Sequence, residues 1–241
     1  DEPCSLVAWT LNLLDTPGDK KERGLCDSVR HEIERRFLYP TLHEKQGWKQ
    51  NANNWNTWIT TNWLQTVLIC GQASKNEANS FDDESKAAFE GIKQCLRTFL
   101  KGYPDDGGCE EGVSYWDCAG ASFFESLFFM QLAPEEARLS LDAAQCKKVE
   151  AMGKFITTMY IDNLNFVNFS DAQAHNVPNI NILFPYGEYL GNEPMKQLAA
   201  YVGKMFDYLE KPSTLFLRSG NYPKLGRELM LLSMLGKYQA T

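Results

Sequence analysis

Apolar side chains in this sequence recur every three or four residues, and that rhythm leaves the chain few architectures. Leu25, Val29, Ile33 and Phe37 stand four apart in a charged background, the pattern of a helix with one buried stripe. Tyr39-Pro40 is expected to end that helix, because proline disfavours helical geometry in the residue before it. Phe89, Ile92, Leu96, Phe99 and Leu100 follow the acidic start Asp82-Asp83-Glu84, and Gly102 with Pro104 supplies the matching stop signal. Val149, Met152, Ile156 and Met159 form a further stripe. Met195, Leu198, Val202 and Leu209, then Leu225, Leu229, Leu232 and Leu235, add two more. Residues 56–70 and 122–132 are apolar on more than one face, which predicts helices buried on two sides. Strand-like alternation is nearly missing and no strand–helix–strand rhythm is present. The expectation is an all-α fold of about eight helices in stacked antiparallel hairpins. No linker rich in Pro, Gly or Ser divides residues 1–241, so a single domain is expected.

The charge balance narrows the partners. Twenty-four Lys and Arg against 31 Asp and Glu give a net charge of −7 with both signs interspersed, a poor surface for nucleic acid or an anionic membrane. No run reaches the roughly 18 apolar residues of a membrane span; even residues 123–130 are broken by Glu125 and Ser126. The apolar stretch 6–14 has acidic flanks where a secretory leader has basic ones, and the chain opens without Met. A processed chain or a fragment is expected. Seven cysteines lie at 4, 26, 70, 95, 109, 118 and 146, with no Cys-x-x-Cys pair and no His at zinc-finger spacing, so neither zinc nor another metal is expected. Cys109 and Cys118 are the nearest candidates for a disulfide, while buried free thiols account for the set equally well.

Four polar or aromatic loops are expected at residues 45–55, 103–116, 163–186 and 215–222. Loops on a rigid scaffold commonly carry function, and three of these concentrate chemistry. Residues 51–58 hold Asn51, Asn53, Asn54 and Asn56 beside Trp55 and Trp58. A side-chain amide donates two N–H groups without net charge, suited to gripping a carboxylate, and an indole face suits a sugar ring. Asn53, Asn54 or Asn56 equally fits a helix N-cap. The second segment runs Tyr103-Pro104-Asp105-Asp106-Gly107-Gly108-Cys109-Glu110-Glu111-Gly112 into Tyr115-Trp116. It is turn chemistry that presents acids and then a phenol, and it lacks the ligand spacing of a calcium loop. Tyr115 equally fits the start of a buried helix. The third segment, residues 166–175, carries Asp171 and the candidate base His175; His31 and His43 have weaker claims.

Taken together, the strings Asn53-Asn54-Trp55-Asn56, Tyr103 to Gly112 with Tyr115-Trp116, and Phe166-Val167-Asn168-Phe169-Ser170-Asp171-Ala172 resemble the heparinase II/III family of polysaccharide lyases. The resemblance implies an incomplete (α/α) toroid, normally followed by a C-terminal β-sandwich that this chain lacks. It implies cleavage of an anionic, uronic-acid polysaccharide by β-elimination, without a cofactor, in a periplasmic or exported bacterial protein. Carried over residue by residue, it makes Asn54 the amide that neutralises the uronate and Tyr115 the phenol that moves a proton. Glu111, Trp55, Trp116 and Asp171 would line the cleft. Alginate-type relatives place His after the Asn, where this chain has Trp55, so one proton acceptor is missing. The β-sandwich often supplies another catalytic His or Tyr. A free Tyr titrates near pH ~10, so a basic Tyr115 needs positive charge beside it. Lys49, Arg218, Lys224 and Arg227 are the basic groups expected to attract a polyanion.

Two alternatives use the same residues. An inverting glycoside hydrolase would employ Glu111 and Asp171 as its carboxylate pair, a reading that depends on their separation. A non-catalytic glycan-binding protein would keep the aromatic cleft without turnover.

Overall fold

The structure, a computed structural model, describes residues 2–14, 20–73 and 83–205. Over these residues it is all-α apart from one small hairpin. The helices are α1 (Glu2–Leu14), α2 (Lys20–Ile33), α3 (Tyr39–His43), α4 (Asn54–Ala73), α5 (Asp83–Gly102), α6 (Val113–Trp116), α7 (Gly120–Met130), α8 (Ala143–Thr158), α9 (Ile180–Leu190) and α10 (Glu193–Met205). Strands β1 (Tyr160–Asp162) and β2 (Asn165–Phe166) pair antiparallel between α8 and α9. The expected stripe of Leu225 to Leu235, Leu209 and the loop at 215–222 lie outside the described residues.

Helix α4 is the hub: it packs against α1, α5 and α7, which is why it is buried on several faces, polar residues included. From α5, Phe89, Ile92, Leu96 and Phe99 are at most 1% exposed, and burial of such side chains contributes roughly 1.5–3 kcal/mol each. Several polar groups that α4 takes inside are paired, while Asn56 Oδ1, Thr60 Oγ1 and Trp63 Nε1 are buried without a partner among the described residues. Ser5 donates to the Asn62 carbonyl at 2.6 Å, Trp9 Nε1 donates to Gln65 at 2.7 Å, and the Thr61 hydroxyl lies 2.9 Å from the Ser122 carbonyl. On the far side of α7, α8 and the α9–α10 pair continue the core. Tyr186 stacks on Phe124 with ring centroids 3.9 Å apart and donates to the Val149 carbonyl at 2.8 Å.

The structure corrects the sequence reading in several places. Pro40 does not end a helix. Residues Glu34–Leu38 form a wider π-turn that runs on into α3, and Pro40 sits in the first turn of α3. Leu25, expected in the first buried stripe, is 66% exposed. The apolar stretch 6–14, weighed against a leader, belongs to α1. The expected loop at 163–186 contains the β-hairpin turn and most of α9, which accommodates Pro185 inside it and is capped by Asn179 through the Asn181 N–H. The seven cysteines, Cys109 and Cys118 included, are free thiols.

Candidate functional site

Asn54 stands at the first position of α4 and is 8% exposed. The preceding turn is fixed by a neighbour: the fully buried Asn56 amide donates to the Asn51 carbonyl at 2.9 Å. Asn56 therefore clamps the loop. Asn54 is left to face a cavity of about 420 Å³, within the usual range for small-molecule sites. Trp58, one helical turn on, lies on the same face of α4. Both line the cavity with the half-exposed Trp55, Glu2 of α1, Glu111, Tyr115 and Cys118.

Glycine chemistry brings Glu111 and Tyr115 there. Gly112 has φ 87° and ψ −177°, a conformation essentially reserved for glycine. A Cβ on it would lie 2.4 Å from the Ala172 Cβ and 2.8 Å from the Phe169 carbonyl oxygen. The turn thus packs backbone to backbone against residues 169–172, and the Ser114 hydroxyl accepts the Gln173 N–H at 3.0 Å. Gly107, at φ 78°, is pressed against Ala151 of α8. Lys148 holds the start of the same loop, pairing with Asp105 at 2.6 Å and donating to the Tyr103 carbonyl at 2.8 Å. On the α4 side, the buried Thr57 hydroxyl lies 3.0 Å from the Cys118 carbonyl and 3.2 Å from that of Ala119. That contact ties the helix carrying Asn54 to the segment carrying Tyr115.

Across the cavity, Asn54 Nδ2 donates to Glu111 Oε1 at 3.2 Å. The Glu111 carboxyl is held above its ordinary range, first by burial and then by the negative charges of Asp171 and Glu110. Among the described residues that line the cavity, none is Lys, Arg or His.

Of the residues singled out from the sequence, Asn54, Trp55, Glu111 and Tyr115 converge on this cavity. Trp116 does not. It is 1% exposed, and its indole N–H donates to the Met152 carbonyl at 2.7 Å, which pins α6 to α8. Asp171 is exposed and stands outside the lining, acting on Glu111 through space. His175 is exposed on a bridge to Asn165, and His43 faces Glu84 at 3.7 Å; neither borders the cavity. Lys49 donates to the Thr41 carbonyl and lies over the Trp48 and Trp63 rings, where burial lowers its affinity for a proton. It is no part of the lining, and Arg218, Lys224 and Arg227 fall outside the described residues. Trp58 was legible in principle, four residues after Asn54. Glu2 and Cys118 carried no such signal.

Among the described residues no group of three or more His, Cys, Asp or Glu is placed to hold a metal ion, and no helix is long and apolar enough to cross a membrane. No family model and no curated protein matches this chain.

Proposed function

We propose that the protein is a polysaccharide lyase that cleaves a uronic-acid glycan by β-elimination, its helical hairpins forming part of an (α/α) toroid. The observation that supports this reading is the convergence of an amide, a raised carboxyl, a phenol and two indoles on one cavity. The sugar's C5 proton lies α to a carboxylate whose negative charge opposes carbanion formation. Asn54 donates a hydrogen bond where that charge grows. A base removes the C5 proton, the C4–O bond breaks, a C4=C5 double bond forms, and the leaving oxygen takes up a proton. With no cationic side chain among the described residues that line the cavity, Tyr115 is assigned as the neutral donor of that last proton. The base is then supplied by the C-terminal β-sandwich that the family resemblance implies. The natural setting is the bacterial periplasm or exterior, where polymeric uronates are met.

A second reading, an inverting glycoside hydrolase, draws on the raised carboxyl of Glu111 as general acid. Its partner Asp171 would have to hold the attacking water from outside the cavity lining.

The test is incubation of the full-length protein with uronic-acid polysaccharides. Ultraviolet absorbance from the new C=C bond is expected, with loss of about 100-fold or more in Tyr115→Phe. Reducing ends without absorbance select the hydrolase, and binding without either product selects a glycan-binding protein. Undiminished absorbance in Tyr115→Phe overturns the role given to that residue.

A further inference from the structure

The hydrogen bond between Asn54 and Glu111 joins two parts of the fold that are fixed separately. Asn54 belongs to the first turn of α4, and its Nδ2 donates to Glu111 Oε1 at 3.2 Å, the one side-chain hydrogen bond it makes among the described residues. Glu111 precedes Gly112, whose N–H donates to the Cys109 carbonyl at 2.8 Å and whose backbone is pressed against Phe169 and Ala172. The carboxyl therefore meets the amide from a turn that packing holds in place. A side-chain amide presents an oxygen at one end and two N–H groups at the other, and a half-turn about its last bond exchanges them. An ionised carboxyl only accepts, so it bonds the nitrogen end and rejects the oxygen end. One N–H of Nδ2 is then taken by Oε1, and the other remains for a second acceptor.

We propose that Glu111 is a positioning residue: it sets the Asn54 amide with its nitrogen end toward the glycan, so that the second N–H meets the uronate carboxylate already oriented. The uronate oxygen and Glu111 Oε1 share one nitrogen and stand about 5–6 Å apart. Like charges at that separation repel, so Glu111 orients the donor while weakening the hold on the ligand. A glutamine at position 111 bonds either end of the Asn54 amide and carries no charge, and it removes the orientation and the repulsion together. Burial first, then the charges of Asp171 and Glu110, hold the Glu111 carboxyl above its ordinary value of 4.5. Glu2 of α1 and Tyr115 of α6 are the other titratable side chains lining the cavity besides Cys118 among the described residues. The orienting form of Glu111 is gained as pH rises.

This inference rests on the lyase reading for the identity of the acceptor, and the experiment separates the two. The full-length parent, Glu111→Gln, Asn54→Ala and the double variant are given hyaluronan, heparan sulfate and alginate, with cleavage read from ultraviolet absorbance. Glu111→Gln is expected to lower kcat about 10-fold and KM about threefold. It is also expected to lose the rise of kcat with pH that accompanies ionisation of Glu111 in the parent. In the Asn54→Ala background the same substitution is expected to change kcat by less than about twofold, because Glu111 acts through the amide. An equal loss in both backgrounds, or a pH profile that Glu111→Gln leaves unchanged, overturns the positioning role and leaves the lyase reading standing. The side-chain amide NMR signal of Asn54, from protein labelled at asparagine, is followed over the same pH range. No cleavage, with that signal titrating in the parent and not in Glu111→Gln, sustains the orienting bond and removes the lyase reading. Neither cleavage nor titration overturns both.

Discussion

Replacing Gly112 with alanine tests how the site is built. The residue occupies φ 87°, ψ −177°, where a non-glycine backbone costs up to about 3 kcal/mol. The added Cβ also meets the Ala172 Cβ at 2.4 Å and the Phe169 oxygen at 2.8 Å. Neither is the flexible tip of a side chain, so residues 169–172 must move, an overpacking cost of about 1–3 kcal/mol. With about 1–3 kcal/mol from each, the sum is roughly 2–6 kcal/mol, and at this chain length each kcal/mol lowers Tm by about 2–4 °C. Gly191 is the control: it also has positive φ, 61°, but a Cβ there would meet nothing within 4 Å. Gly191→Ala should therefore cost only about 1–2 kcal/mol. Urea unfolding of both variants gives the comparison, provided the m-values stay equal. Because Gly112 lies between Glu111 and Tyr115, its variant should also lose glycan binding while Gly191→Ala keeps it. Equal destabilisation of the two would show that the close approach at Gly112 is not a constraint.

Three further outcomes are expected. Thr57→Val, which removes the hydroxyl beside the Cys118 and Ala119 carbonyls, should destabilise by about 0.5–1.5 kcal/mol through the lost hydrogen bond. Thr57→Ser should recover most of that loss and of the activity; a Ser variant as damaged as Val would refute the tie. The Glu111 carboxyl is raised in the folded state above its unfolded value of 4.5, so its contribution favours folding below that pH and is lost as pH rises through the folded value. Glu111→Gln should accordingly gain stability relative to the parent between acid and neutral pH, and a constant difference across that range in denaturant titrations would contradict the assignment. Burial pushes the Cys70 and Cys109 thiols up to about 11 and leaves Cys146 exposed, so mass spectrometry after brief alkylation near pH ~8 should find Cys146 modified first. Faster labelling of Cys109 would mean that the loop opens.

Where a helix buries one face, the sequence shows it: Phe89, Ile92, Leu96 and Phe99 of α5 are spaced for the core and lie in it. Helix α1 hid because part of its contact with α4 is polar, through Ser5 with Asn62 and Trp9 with Gln65. Helix α9 hid behind Pro185 and the absence of charged residues at its start. Within the site, Asn54 and Tyr115 could be singled out because polar and aromatic side chains cluster in their segments, and both line the cavity. Trp116 misled because the same string that carries Tyr115 into the cavity needs an anchor, and the Met152 carbonyl gives an indole a buried partner. Glu2 reaches the cavity only through the packing of α1 on α4, a contact that no local pattern encodes.

The most direct measurement is a crystal structure of the Tyr115→Phe variant holding an uncleaved uronic-acid oligosaccharide. The account predicts a uronate carboxylate within about 3.2 Å of Asn54 Nδ2, with the glycosidic oxygen facing the ring at position 115. A sugar bound outside this cavity, or one whose carboxylate turns away from Asn54, would contradict it.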